Sequence, residues 1–358
     1  MNYKIIELQI LQLEESFSKS RSNIYSDKKK ETHFKELFNI FNTIKNCNYF
    51  SFSETDIKLH FQILNYIFKG LEFLDNSTLN VIPYEIVSCL QIALEDWIKS
   101  DNFIIVTSLS NRNLDFSFES ENVEIFNNIN AEVSSRYDLK ITNRLIKIVL
   151  PKALSRDYLS IVVLYHELGH FIDTEIHISE KILYSKYGFK PAHLYTQSQL
   201  QEFRHFMEYF ADLFAAQYIN NASSLFLGYI AHDSLDSHTH PSTKSRISIV
   251  EDFLNNTYNI KVDVINSALK SSGYEPFKIR HKKIDIKKSD FQNLIPQQIK
   301  TKEELHYIFK LGWDFWDTSE INFLKNFDAR QKYNVINNLV EKSISNYIIK
   351  QKWQQTGI

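Results

Sequence analysis

The sequence predicts an α+β fold that is predominantly α-helical, and three observations predict it. Apolar residues recur at helical spacing over residues 1–100 and again over 300–358. Between them, residues 101–150 change to β-branched and alternating runs of strand type. The chain also has only 7 glycines in 358 residues, against about 25 at average usage, so few turns can rest on glycine's left-handed backbone freedom.

The elements follow in order. Ile5, Leu8, Leu11 and Leu13 mark a first helix, and Phe34, Leu37, Phe38 and Phe41 a second. Leu59, Ile63, Tyr66 and Ile67 mark a third, with Ser53 and Asp56 as caps. Pro83 stands near the start of another helix that runs through Trp97. The aromatic stripes of this region read as core. Residues 103–106 are a β-branched run, and Leu114, Phe116 and Phe118 alternate with Asp115 and Ser117 at the period of a half-buried strand. A short helix over 123–133 and a strand over 145–150, stopped by Pro151, complete this stretch. A helix is expected from near Ser155, with Tyr158, Ile161, Val162, Tyr165 and Leu168 on its apolar face. Another spans 198–219, capped by Ser198, with Phe203, Phe206, Met207, Phe210, Leu213 and Phe214 on its apolar face. Residues 222–260 hold a helix, a turn rich in His and Ser, and a helix opened by Pro241. Residues 278–288 are basic and read as a surface segment or strand edge. Trp313 and Trp316 anchor a helical C-terminal region. Three regions result: 1–100 helical, 101–260 the core that holds the chemistry, and 261–358 mostly helical.

Composition excludes several functions. With 41 basic and 43 acidic residues the net charge is -2, so no global field draws the chain to nucleic acid or to an anionic membrane, and no nucleic-acid partner is expected. Neither GxGxxG nor GxxxxGK occurs, which removes the glycine-rich dinucleotide and phosphate cradles. Two cysteines, Cys47 and Cys89, cannot build a disulfide framework or a cysteine zinc knuckle, and they suit a reducing compartment. Residues 1–18 carry Glu7, Glu14 and Glu15, unlike a secretory signal. No apolar run approaches the roughly 20 residues of a membrane span. The expected setting is a soluble protein of the cytoplasm.

The chemistry concentrates in His166-Glu167-Leu168-Gly169-His170. Histidines at i and i+4 of a helix lie about 40° apart around the axis and one turn apart along it. Both imidazoles can then face one ion, with Glu167 placed to reach a water on it. The 12 histidines and 24 glutamates of the chain would produce about 0.03 HExxH patterns by chance. Gly169 sits in the middle of this helix at a cost of roughly 1 kcal/mol relative to alanine, which points to a neighbour that approaches closely there. A catalytic zinc needs a third protein ligand. A histidine six residues after His170, following a glycine at 173, would be the metzincin solution, but Asp173 and Ile176 stand there and His177 is out of register. Glu208 on the second helix is the candidate. Asp212, one turn later, is placed to accept the ring N–H of a ligating histidine and so fix its tautomer. Both acids are expected on the face opposite the apolar stripe.

HELGH followed by Glu208, Ala211 and Asp212 on a second helix resembles the gluzincin metallopeptidases. His238-Thr239-His240-Pro241-Ser242 with Arg246-Ile247 is similar to the HPSxxxRI segment of their CAAX-processing and heat-shock peptidase group. The resemblance spans roughly residues 145–250. It implies Zn2+ held by His166, His170 and Glu208, Glu167 as general base, Asp212 behind the ligands, and His240 or Arg246 steadying the oxyanion or holding Glu208. It also implies a zincin-like catalytic core, with a small sheet and two metal-bearing helices flanked by helical N- and C-terminal regions. Members of that group are often embedded in membranes, whereas this chain shows no spanning segment. Residues 210–216 are also similar to the glutamate helix of repressor-cleaving regulatory peptidases.

The expected activity is that of a soluble zinc metalloendopeptidase acting on a cytoplasmic protein or peptide. In it Glu167 takes a proton from the attacking water and passes it to the leaving amine. Candidates for a donor to the oxyanion are His240, Arg246, His205 and Tyr195. Residues 145–150 are the candidate for a strand of the small sheet whose edge would take an extended substrate, and 174–197 would form a wall or lid. The alternatives are a non-catalytic zinc-bound binding or regulatory protein and a repressor-cleaving regulatory peptidase.

Overall fold

The computed structural model describes residues 3–25, 28–78, 83–99, 102–111, 116–317 and 327–355. Among them the chain is an α+β protein in which helix predominates and one small sheet forms. It divides into two compact units. One comprises Met1–Val87 and Lys99–Ser155, the other Ser88–Ile98 and Arg156–Ile358.

The first unit carries α1 (Lys4–Ser20), α2 (Lys28–Lys45) and α3 (Glu54–Asp75). Ser53 caps α3, accepting from the amide of Asp56, while Asp56 lies inside the first turn, where its charge suits the helix N-terminus. Ile6, Ile10, Leu13 and Phe17 of α1, Leu37, Ile40 and Phe41 of α2 and Ile63, Tyr66 and Ile67 of α3 are buried together with Ile104, Val106, Phe126, Ile129 and Leu145 in one hydrophobic cluster, whereas Leu8 and Leu11 of the stripe expected for the first helix face outward, 54% and 60% exposed. α4 (Tyr84–Glu95) opens directly after Pro83. The sheet follows, from β1 (Phe103–Ser110), β2 (Ser117–Ser120) and, after α5 (Val123–Tyr137), β3 (Arg144–Pro151). Of the expected alternating strand, Ser117 and Phe118 open β2 and Phe116 directly precedes it, while Leu114 and Asp115 lie outside the described residues.

β3 is the central strand, parallel to β1 and antiparallel to β2. Residues 145–150 thus form a strand of the small sheet, as expected, at its centre rather than at its edge. A run as apolar as Leu-Ile-Lys-Ile-Val-Leu buries both faces and takes strand partners on both sides. The sheet belongs to the first unit with the N-terminal helices.

The second unit is helical. It contains α6 (Val163–Ile176), α7 (Ile178–Tyr187), α8 (Gln197–Ile219), α9 (Ala222–Ile230), α10 (Thr243–Leu254) and α11 (Ile260–Ser271), then α12 (Lys302–Asp317) and α13 (Ala329–Gln355). α6 starts eight residues after the expected Ser155. The Asp157 carboxylate accepts from the amides of Leu159 and Ser160 at 3.2 and 3.1 Å. Asn337 Oδ1 of α13 accepts from Tyr158 and Leu159 at 2.6 and 3.3 Å. These bonds hold residues 157–162 in tight turns, which α13 could not have revealed to a local reading. α8 is capped by Thr196 in a reciprocal capping box with Gln199, rather than by Ser198. α10 is capped by Ser242, immediately after Pro241.

The basic segment 278–288 is irregular and ends in a short 3-10 turn. It is tied to α8 by the Arg280 amide donating to Gln217 O at 2.7 Å. Three of its six cations are in ion pairs, Lys278 with Glu275, Arg280 with Asp96 and Lys282 with Glu304. Trp313 is buried and donates to Leu159 O at 3.0 Å, and Trp316 packs edge-on against Tyr333. No helix among the described residues is long and apolar enough to cross a membrane.

Candidate metal centre

The centre is built by α6 and α8 of the second unit. These helices pass unusually close, and Gly169 is the reason. A Cβ on Gly169 would lie 2.7 Å from Ala211 Cα, a backbone contact that real Cβ atoms essentially never make, and a tight 3.1 Å from Phe214 Cβ. Hydrogen at this position lets the α8 backbone settle on the α6 backbone between His166 and His170. On the far side of α6, Tyr165 OH meets His306 Nδ1 of α12 at 2.8 Å, which fixes the rotation of the helix.

Three donor groups converge in the resulting crevice. His166 Nε2 and His170 Nε2 are 3.0 Å apart. Glu208 Oε2 lies 3.4 Å from the first, and its Oε1 3.4 Å from the second. Among the described residues, His166, His170 and Glu208 form the group of ligand-type side chains whose donor atoms lie close enough together to hold one ion. A tetrahedral ion with bonds of about 2.0–2.1 Å keeps its ligand atoms about 3.3 Å apart, which these separations match. The two imidazole rings stand nearly perpendicular, at 87°, so both Nε2 lone pairs can address one point. His170 Nδ1 is buried without a hydrogen-bond partner. Two nitrogens and a carboxylate, all acceptors when deprotonated, fit a divalent cation of the zinc type.

Behind the donors, Asp212 Oδ1 lies 2.9 Å from His166 Nδ1. The Nδ1–H tautomer leaves Nε2 as the free donor. Arg246 of α10 closes the arrangement. Its Nε and Nη2 donate to the two oxygens of Asp212 at 2.8 and 2.7 Å, and its Nη1 lies 3.1 Å from Glu208 Oε2. Glu208 and Asp212, on the face of α8 opposite its expected apolar stripe, are thus buried against α6 and α10. From Glu208 onward the helix is buried on every side.

Charges here are set by burial and by neighbours. Burial and Arg246 push the His166 imidazolium down, but Asp212 and Glu208 outweigh them and raise it to about 9. Burial would raise the Glu208 carboxyl, yet hydrogen bonds from His166 and His170 hold it well below the usual carboxylate range. Asp212 is likewise lowered, by Arg246 and then His166 against burial. Glu167, next to His166, moves the other way. Burial raises it, the charge of Glu208 adds to this, and the histidines and Arg246 oppose.

The remaining candidates lie as follows. The His240 side chain is 58% exposed with Nε2 3.4 Å from Glu208 Oε1, and it holds Thr239 Oγ1 through Nδ1 at 2.8 Å. His205 reaches Ser237 O at 2.8 Å. Tyr195 is buried with its hydroxyl donating to Gly188 O at 2.8 Å, so it braces the end of α7 and is not free to serve an oxyanion. His232 and His238 are exposed. The 174–197 segment forms α7 and a 3-10 turn packed on α8 and α11. The double grip of Arg246 on Asp212 and Glu208 was only half foreseen, since the HPSxxxR spacing carries the arginine but not its second partner. His306 and Asn337 carried no sequence signal, because both act from more than 130 residues away.

Compared with protein-family models, with curated proteins and with solved structures, the chain matches none.

Proposed function

We propose that the chain is a zinc-dependent metallopeptidase of the gluzincin type, with a zincin-like pair of metal-bearing helices in its second unit. Its proposed substrate is a cytoplasmic protein. The convergence of His166 Nε2, His170 Nε2 and the Glu208 carboxylate at 3.0–3.4 Å carries the reading. The HELGH spacing that puts Glu167 beside these donors gives it its chemical direction. A bound divalent ion would supply Lewis acidity, lowering the pKa of water and polarising a carbonyl.

The protein groups supply the rest. Glu167 accepts the proton of the attacking water and returns it to the leaving amine; the burial that raises its carboxyl brings it toward the range in which a general base works at neutral pH. Asp212 orients His166. Arg246, its nitrogens committed to Asp212 and Glu208, holds two carboxylates in place. His240, exposed at Glu208, is the imidazole placed to donate to developing negative charge on the carbonyl oxygen.

Metal analysis and proteolysis on one pair of proteins test the reading. The wild type is expected to hold about one zinc per chain and to cleave unfolded casein. Glu167→Gln is expected to keep the zinc and lose at least about 1,000-fold in rate, as removal of a general base does. Zinc retained in both proteins with no Glu167-dependent cleavage of any protein offered would overturn the peptidase and leave a zinc-binding protein.

A further inference from the structure

α7, α8, α10 and α11 line an open cleft of about 780 Å³ within the second unit, outside the candidate metal centre. Its α8 wall includes His205, Phe206 and Tyr209. His205 stands three residues before Glu208, about 60° round the helix, so the cleft continues the face of α8 that carries the metal-facing acids. The bridge between them is the turn 232–240. Ser237 O accepts from His205 at 2.8 Å and from Gln201 at 3.0 Å, and His240 at the other end of the turn stands 3.4 Å from Glu208.

The chemistry of the cleft is selective. Its cations are already engaged, Lys186 with Glu202 at 2.6 Å and Lys261 with Tyr209 OH at 2.7 Å. Asp236 accepts from the Ser242 amide at 2.6 Å. The larger share of what the walls leave open is apolar, with Ile182 and Phe206 in the lining and Val264 and the 65%-exposed Ile260 at the rim. The volume lies within the range of small-ligand sites and exceeds what one side chain fills. A charged group entering would meet Lys186 already paired with Glu202, and Lys261 and Asp236 each holding a neutral partner, whereas an aliphatic or aromatic group would find uncovered carbon.

We infer that this cleft is a specificity subsite, receiving a bulky apolar side chain of an extended peptide whose backbone runs past the 232–240 turn toward the metal-facing end of α8. The inference rests on the peptidase reading for the word substrate, but the binding it describes does not require turnover.

The test uses full-length Glu167→Gln protein and fluorescein-labelled octapeptide mixtures, one with a fixed central Phe and one with a fixed central Asp, read by anisotropy. The Phe mixture is expected to bind about tenfold more tightly or better, the scale of burying one large apolar side chain. Ile260→Asp with Val264→Asp, both at the rim where folding is undisturbed, is expected to cut that preference below about threefold. Circular dichroism and zinc content should not change. Equal binding of the two mixtures, or a preference unaltered by the double substitution, overturns the subsite. A Phe preference lost in the double variant supports it even if wild-type protein cleaves neither mixture, a result that would count against the peptidase alone.

Discussion

At Arg246, one guanidinium faces two carboxylates that the second unit has removed from water. Asp212 takes a fork of two hydrogen bonds and Glu208 takes the third nitrogen. Such a cation does little for net stability as a pair, but taking it away strands buried charge. Arg246→Met is therefore expected to lower unfolding stability by about 3–5 kcal/mol in metal-free protein. With zinc bound the loss should be smaller, because the ion then opposes the charge of Glu208; equal losses in the two states, measured by urea unfolding, would contradict that placement. Asp212→Asn keeps an acceptor near His166 but weakens it. Zinc affinity, measured by competition with a chelator, is expected to fall about 10–100-fold, and an unchanged affinity would remove Asp212 from behind the ligand. The histidine pair and its glutamate were legible because i, i+4 spacing is local and its geometry is fixed by the helix. The third donor was legible only as a carboxylate on another helix, and its burial was not, since burial is decided by α6 and α10 together.

At the scale of elements, the distance between α6 and α8 sets the site, and Gly169 sets the distance. Helix propensity alone favours alanine there by about 1 kcal/mol. A methyl group 2.7 Å from Ala211 Cα must instead push backbone against backbone, and overpacking of that kind costs about 1–3 kcal/mol. The two effects have opposite signs, so Gly169→Ala decides between them. The expected outcome is a lower melting temperature and weaker zinc binding, because the displacement falls between His170 and Glu208. A stabilised protein with unchanged zinc affinity would show that the helices can part without cost. Mid-helix glycine in a chain with 7 glycines was a readable sign of this contact. Other element properties were not readable. The late start of α6 depends on Asn337, and the central position of β3 depends on two strands from elsewhere in the chain. Sequence periodicity reports which residues are buried, while pairing and helix ends depend on partners that periodicity does not name.

Across the whole molecule, composition indicated a mixed, mostly helical chain but not how it divides. The sheet and the N-terminal helices share one compact unit and the metal helices lie in the other, a grouping set by long-range contacts. The division makes an experiment possible, because all four tryptophans, Trp97, Trp313, Trp316 and Trp353, lie in the second unit. Their fluorescence follows the unfolding of the unit that holds the candidate metal centre. In the core of that unit His306 is fully enclosed, with Nδ1 on Tyr165 OH and Nε2 unpaired. Burial pulls its pKa down from 6.5 to about 3. The unfolded chain therefore takes up a proton near pH 6.5 that the folded chain refuses until about pH 3, so the stability tied to neutral His306 is present above 6.5 and lost as pH falls below it. His306→Leu removes that dependence at the cost of the hydrogen bond between Tyr165 OH and His306, about 0.5–1.5 kcal/mol at pH 7, since Tyr165 OH keeps Cys89 as a partner. Between pH 7 and pH 5 the wild type is expected to lose about 2 kcal/mol relative to the variant. Tryptophan-monitored urea unfolding of both chelator-stripped proteins should show the gap between them closing or reversing over that interval. Both proteins share every other titrating group, the metal ligands included, so their effects cancel in the difference to first order. A gap independent of pH would mean that His306 is not held neutral behind α6, and that the rotation of the metal-bearing helix is fixed by some other contact.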